Sequence, residues 1–332
     1  MDRRNSNNSS EVEAFLYDAS GHDEKIDPNR IGTADLAENH LLWVNISKRD
    51  EKLLESVVSA LELKGVPLEE IVAECSRPVI NRFDTFFRFC IHAIITKEGK
   101  SPEKQAVDFI VGKNFVLTMH EGPVDYFAAF RERERGETQF GELDAESFVA
   151  TLLDLNIITY FHALDELEKA VDEMDDKVLQ KDFEAEDFLK QMVRLRRDAS
   201  RLRRWLVPHR EVFYSLSRSD FRQIAESDSH EEYKMLNLHF ESAVDAIEHS
   251  RETVLSVFDL YASKSAQQTN QFIRRLTFLT LMTGSLAVIA GILGMNYKAD
   301  IFEAENGFWL TVGTMILIAL GLSVFARFKR WI

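Results

Sequence analysis

Ser256, Asp259, Ser263, Ala266, Asn270, Ile273, Thr277, Thr280, Gly284, Ala287 and Gly291 follow one another at steps of three and four. On a helix that spacing gathers side chains onto one face, and nearly every member of this face is small or carries an oxygen. Carboxylate and amide oxygens, as at Asp259 and Asn270, are the hard ligands favoured by Mg2+ and similar cations. Asn296 adds a further amide at the end of the same stretch. Mg2+ gives up its water reluctantly, so a ring of such amides suits the hydrated ion, gripped through hydrogen bonds to its outer shell.

A seam at about 3.5-residue spacing turns toward a shared axis when copies of a helix assemble, and a seam without large apolar residues leaves a water-lined path there. Two helices of one chain cannot enclose such a path in lipid, so several subunits must surround it. The competing reading of the same face is close helix packing, for which Gly284, Ser285, Gly291 and Gly294 are suited because small residues let backbones approach.

The elements that must position these residues are apolar. Leu276 to Met295 is twenty residues without a charge and Phe308 to Ala326 is nineteen, each close to the roughly 20 that cross a bilayer core. Tyr297, Trp309 and Trp331 suit the interfaces. Lys264, Arg274 and Arg275 precede the first span and Arg327, Lys329 and Arg330 follow the second, against Lys298 alone between them. Both termini are therefore expected in the cytoplasm, with the chain in the cell's inner (plasma) membrane. The connecting loop, 297–306, then faces outward, where Asp300, Glu303 and Glu305 either draw cations to a pore mouth or form a solvated turn.

Residues 276–332 hold four basic and three acidic side chains, leaving 36 basic and 52 acidic in residues 1–275. So acidic a body repels nucleic acid and concentrates cations. With 45% hydrophobic residues and only 6 Pro, the chain reads as folded and mostly helical. Cys75 and Cys90 form no Cys-x-x-Cys; two buried thiols in a reducing compartment are expected, with neither a disulfide nor a thiolate metal site. Residues 1–12 read as a disordered tail without a secretory signal.

Residues 13–140 read as a cytosolic α/β domain. Ala14–Tyr17, Leu41–Ile46, Phe86–Ile95 and Phe109–Thr118 are strand-like apolar runs, and Glu51–Leu63 is helical with Leu53, Leu54, Val57, Val58 and Leu61 on one side. Residues 141–275 are a long-helix region. Leu164, Leu167, Val171, Met174 and Val178 form a coiled-coil seam. Phe188, Met192, Leu195, Ala199, Leu202 and Leu206 form another, which Pro208 ends. The stalk helix, about 231–275, has no proline ahead of it as far as Trp331, so it is expected to run on through Leu293, roughly 90 Å in all. Residues 276–332 complete the chain as the transmembrane hairpin and its basic cytosolic end.

Gly294-Met295-Asn296 closing the first of two C-terminal spans resembles the hallmark of the CorA superfamily of divalent metal-ion transporters, and Leu276-Thr277 and Ile289-Ala290-Gly291-Ile292 are similar too. The resemblance is weaker in the α/β part, at Trp43-Val44-Asn45-Ile46, Arg77-Pro78 and Phe115-Val116-Leu117-Thr118. It implies a homopentameric funnel whose partners are its own copies, the bilayer and the transported cation, Mg2+ or another divalent ion, with no cofactor. Asn296 would hold the hydrated ion at the outer mouth, Asp259 and Asn270 would line the path, and Ile273 and Leu276 would form its apolar constriction. Some positions depart from the family pattern. Leu293 replaces a common Tyr, Ser285 a common Pro, Gly284 a bulkier residue, and Met235 a carboxylate of the magnesium-sensing site. The ZntB zinc-transporter branch shares the architecture, so Zn2+, Ni2+ or Co2+, with proton coupling, is the alternative cargo, and a non-conducting scaffold or ion sensor is the alternative of another class.

Gly99-Lys100-Ser101 lacks the earlier glycine of a phosphate loop. Cys90 and His92 share a strand face without a second ligand pair, and His239 and His249 stand isolated on the stalk. No nucleophile and base occur at meaningful spacing, so an enzyme is not expected.

Overall fold

The computed structural model describes residues 11–18, 24–33, 40–97, 100–134, 144–179, 185–225, 229–295 and 306–329; most of the expected N-terminal tail lies outside them. The chain divides into two compact units, Met1–Ser256 and Val257–Ile332.

Among the described residues of the first unit, seven strands make one sheet: β1 (Val12–Asp18), β2 (Glu24–Ile26), β3 (His40–Ile46), β4 (Val79–Arg82), β5 (Phe86–Ile95), β6 (Glu103–Gly112) and β7 (Phe115–His120). Their order is β2-β1-β3-β7-β6-β5-β4. Only the β3–β7 pair is parallel, with Val44 opposite Leu117; the other pairs are antiparallel. Side chains alternate between the two faces of a strand, and here both faces are covered. Trp43, Phe87, Phe89, Val107, Phe109 and Val116 enter one core, while Leu42, Val44, Phe86, Ile110 and Leu117 enter the other. That is why these strands read as nearly unbroken apolar runs.

Phe109–Thr118 proves to be two strands. The backbone turns at Lys113–Asn114, and Gly112 pairs with Phe115. A Cβ on Gly112 would collide with the Phe115 ring, so the hairpin needs glycine there. β2 and β4, each four residues or shorter, carry too little pattern to be read in advance.

Helix α1 (Glu51–Ala60) covers the second core with Leu53, Leu54, Val57 and Val58, each contributing roughly 1.5–3 kcal/mol by leaving water. Asp50 caps it, accepting hydrogen bonds from the Lys52 and Leu53 N–H groups. The chain leaves α1 through Glu62, whose φ is 54°, so the helix stops short of the expected Leu63. Helix α2 (Leu68–Val72) follows, with Ile71 buried beside α1.

The first core is closed by α3 (Asp125–Glu134), α4 (Ala145–Leu179), α5 (Ala185–Leu206), α6 (Arg210–Leu216), α7 (Arg222–Ala225) and the start of α8 (His230–Leu293). The expected seams bury Leu164, Leu167, Val171, Met174 and Val178 on α4, and Phe188, Met192, Ala199, Leu202 and Leu206 on α5. Pro208 stands in a short 3-10 turn, Val207–His209, between α5 and α6, as its missing N–H requires. Although α4 is long and apolar enough to cross a membrane, 61% of its most apolar window is buried in this unit.

Cys75 and Cys90 are joined in a disulfide, which corrects the expectation of two free buried thiols. Strand pairing sets Cys90 opposite Val79 and so carries the β4 strand, and the segment before it, against β5. That contact across the sheet was invisible in a pair separated by fifteen residues.

In the second unit, α8 continues unbroken to Leu293, and α9 (Gly307–Phe328) follows. In neither helix does the most apolar window hold a residue buried by the chain itself.

Candidate functional site

Helix α8 is 64 residues long with no proline to interrupt it. From Asp259 to Gly291 it makes about nine whole turns, so residues at steps of three and four stay on one side of it throughout. Every member of the face is exposed in the single chain: Ser256, Asp259, Ser263, Ala266, Asn270, Ile273, Thr277, Thr280, Gly284, Ala287 and Gly291. Leu276 flanks it and is also exposed, at 51%.

Three hydroxyls along this face are partnered within the helix. Ser256 Oγ donates to Thr253 O at 2.9 Å, Thr277 Oγ1 to Ile273 O at 2.8 Å, and Thr280 Oγ1 to Leu276 O at 2.9 Å. A hydroxyl that donates inward presents its lone pairs outward. The face thus offers acceptors, the polarity suited to a cation or to the water around one. At Gly284 and Gly291 an added Cβ would meet no atom within 4 Å, so nothing in the chain's own packing demands that these residues be small.

The helix ends just past this face. Gly294 N–H donates to Ala290 O at 2.9 Å and Met295 N–H to Ile292 O at 3.2 Å. Gly294 and Met295 therefore lie at the tip of the span, both exposed. Asn296, and Asp300, Glu303 and Glu305 of the connecting segment, lie outside the described residues, as do Tyr297 and Lys298.

Around the face both spans carry large apolar side chains with no cover, among them Val288 at 62%, Trp309 at 72% and Leu317 at 71% exposed. Such surfaces belong in hydrocarbon. Thr283, Thr311, Thr314 and Ser323 likewise donate to the carbonyl four residues back, so their hydroxyls enter lipid satisfied.

Away from this face, the first unit holds polar groups that spacing alone did not single out. Arg88 and Asp108 are both 1% exposed. Asp108 receives Arg88 Nη2 at 2.9 Å on one oxygen and Arg49 Nη2 at 2.9 Å on the other, and Arg88 reaches Glu70 at 3.0 Å. Two charges of each sign cancel, which is how buried ions are tolerated. The usable signal was alternation: Phe86, Arg88, Cys90 and His92 share one face of β5, so a charge within a two-sided apolar strand had to be paired.

His92 N–H donates to His209 Nε2 at 2.7 Å, and His92 Nε2 lies 3.1 Å from Cys75 O. Burial pushes His209 down to about 3, helped by His92, and His120 down to about 4. On the stalk, His239 Nδ1 lies 2.6 Å from Asp154 and His249 is exposed. Of the phosphate-loop look-alike, Ser101 Oγ donates to Asp198 at 3.1 Å, and Gly99 is outside the described residues.

A family model described as "CorA-like Mg2+ transporter protein" matches residues 38–330. The cobalt/magnesium transport protein CorA of Thermotoga maritima is 26% identical over 295 residues, covering 87% of this chain and 83% of that protein. The divalent cation transporter CmaX of Pseudomonas aeruginosa is 21% identical over 328 residues, covering 97% and 94%. The complete structure of the CorA magnesium transporter from Methanocaldococcus jannaschii superposes with a TM-score of 0.79 at 20% identity, covering 96% of this chain and 98% of that one. The α/β domain, the long helices and the two apolar C-terminal helices are thus a CorA fold. With the family match spanning most of its length, the chain belongs to the CorA-like Mg2+ transporter family, whose members are membrane transporters and not enzymes.

Proposed function

We propose that this protein moves divalent metal cations, Mg2+ above all, down their electrochemical gradient through the central path of a homopentamer. The observation that carries this reading is the small, oxygen-bearing face of α8, left uncovered from Asp259 to Gly291 by its own chain. Copies set around a shared axis would turn this face toward a water-lined centre, where its outward oxygens meet the ion and its water. Asp259, Asn270, Thr277, Thr280, Gly284, Ala287 and Gly291 line the path, and Ile273 with Leu276 forms its apolar narrowing. Asn296 of Gly294-Met295-Asn296 rings the outer mouth and holds the hydrated ion, which Asp300, Glu303 and Glu305 help to concentrate.

The basic residues Arg274, Arg275, Arg327 and Lys329 support an orientation with both termini in the cytoplasm, which fits a chain in the inner (plasma) membrane. In liposomes holding a Mg2+-sensitive dye, the wild type is expected to admit Mg2+, and Asn296→Ala to lose at least about tenfold of that flux, the share of a preorganised ligand ring worth about 1.4 kcal/mol. Equal flux in both would point to a non-conducting scaffold or sensor.

A second cargo reading rests on Met235, 65% exposed, where the family resemblance implies a magnesium-sensing carboxylate, and on Leu293. It assigns Zn2+, Ni2+ or Co2+ with proton coupling. Uptake of each ion side by side, with and without a pH gradient, separates the two.

A further inference from the structure

The Cys75–Cys90 bond lies apart from the ion path, and three observations give it a role. It ties down a short segment: α2 and the residues after it are held to the sheet by Arg49 Nη1 donating to Ile71 O, by Arg88 on Glu70, by His92 on Cys75 O, and by the disulfide. The turn between α2 and the bond is strained, since Glu74 has φ 56°, a left-handed conformation that costs a residue with a Cβ. The two sulfurs also differ in access: Cys90 is fully buried, whereas Cys75 is half-buried between exposed Glu74 and Ser76.

We propose that Cys75–Cys90 is a reversible thiol–disulfide site, opened by small thiols at Cys75, whose reduction frees the α2 segment from the sheet. A thiolate attacks Cys75 Sγ from the solvent side, forming a mixed disulfide and expelling the Cys90 thiolate. A second thiolate attacks the sulfur of the mixed disulfide that came from the first. One low-molecular-weight disulfide leaves, two electrons reduce the protein, and both cysteines take up protons. Oxidation runs the same steps backwards. The leaving Cys90 sulfur stands opposite Asp108 in the strand register and, with Cys75 Sγ, within 4.8 Å of its carboxylate. The Arg49 and Arg88 guanidiniums neutralise that carboxylate, which would otherwise oppose a departing thiolate. On the cytoplasmic side assigned above, a glutathione-type poise would hold an accessible bond of this kind open.

The test takes the full-length protein in detergent through buffers of graded glutathione and glutathione disulfide, followed by alkylation, peptide mass spectrometry and amide hydrogen exchange. Both thiols are expected to appear together at one poise. A brief pulse of glutathione disulfide on the reduced protein should place the mixed disulfide on Cys75. Exchange across residues 68–78 should rise about threefold or more on reduction, while Cys90→Ala exchanges at the reduced rate in every buffer. Thiols free at every poise, an adduct on Cys90, or exchange indifferent to reduction would each overturn the proposal. So would one Zn2+ bound per reduced chain, measured with Zn2+ alone, since Cys75, Cys90 and Asp108 would then be a metal centre.

Discussion

Glu146 sits in the first turn of α4, where a helix N-terminus favours negative charge. It is only 9% exposed, and burial, with Asp144 close by, raises its pKa to about 7 although its own backbone N–H pulls the other way. Unfolded, the same carboxyl titrates near 4.5. Between those values the native state holds a proton that the unfolded state has released, so stability falls as pH rises from 4.5 to 7 and then levels off. The full effect is about 3 kcal/mol. Glu146→Gln should therefore match the wild type near pH 4.5 and exceed it at pH 8, read as thermal melting of the detergent-solubilised protein across pH. A difference that does not vary with pH would remove Glu146 as its source. Nothing in the sequence flags this residue, because an acidic side chain at a helix start is ordinarily solvated. Its burial comes from α8, whose Tyr233 OH donates to Glu146 O at 2.9 Å.

At the scale of the element, α1 shows how far local chemistry reached. Its apolar side was legible, but its end was not, because Glu62 takes the left-handed turn residue's place that glycine usually fills. Glu62 N–H bonds Ser59 O and Leu63 N–H bonds Val58 O, each at 3.1 Å, the pattern of a glycine-type helix stop. Relieving the Cβ clash outweighs glycine's extra chain entropy, so Glu62→Gly should stabilise the first unit by about 0.5–1 kcal/mol, raising its melting temperature by roughly 1–4 °C. A lower melting temperature would mean that Glu62 makes contacts worth more than its strain. The long helices were readable for the opposite reason: a period of three and four repeated many times over, with one proline at the break. Sheet order was not, since the central strands β3, β5, β6 and β7 are buried on both sides and any neighbour satisfies that pattern. The same blindness to pairing hid the disulfide.

For the molecule as a whole, the face of α8 was legible because it is defined by what it lacks, large apolar side chains, over about nine turns. What that face meets is not written in one chain. Gly284→Phe is a direct probe: position 284 is exposed and a Cβ there meets no atom of its own chain within 4 Å, so a loss of flux of tenfold or more in the liposome assay, with unchanged expression, would come from the shared path. Met282, about 180° round the same helix, is the control, and Met282→Phe should conduct as the wild type does. If both substitutions leave flux alone, the path does not run along this face.

The hydroxyls of the two spans carry a consequence for biogenesis. Thr277, Thr280, Thr283, Thr311, Thr314 and Ser323 all close hydrogen bonds within their own helices. No hydroxyl described on either span waits for a neighbouring subunit before it can leave water. A newly made chain can therefore settle in the bilayer alone and find its partners afterwards by lateral diffusion. Assembly then becomes a two-dimensional equilibrium, set by how many copies share a membrane and not by how many are being synthesised side by side.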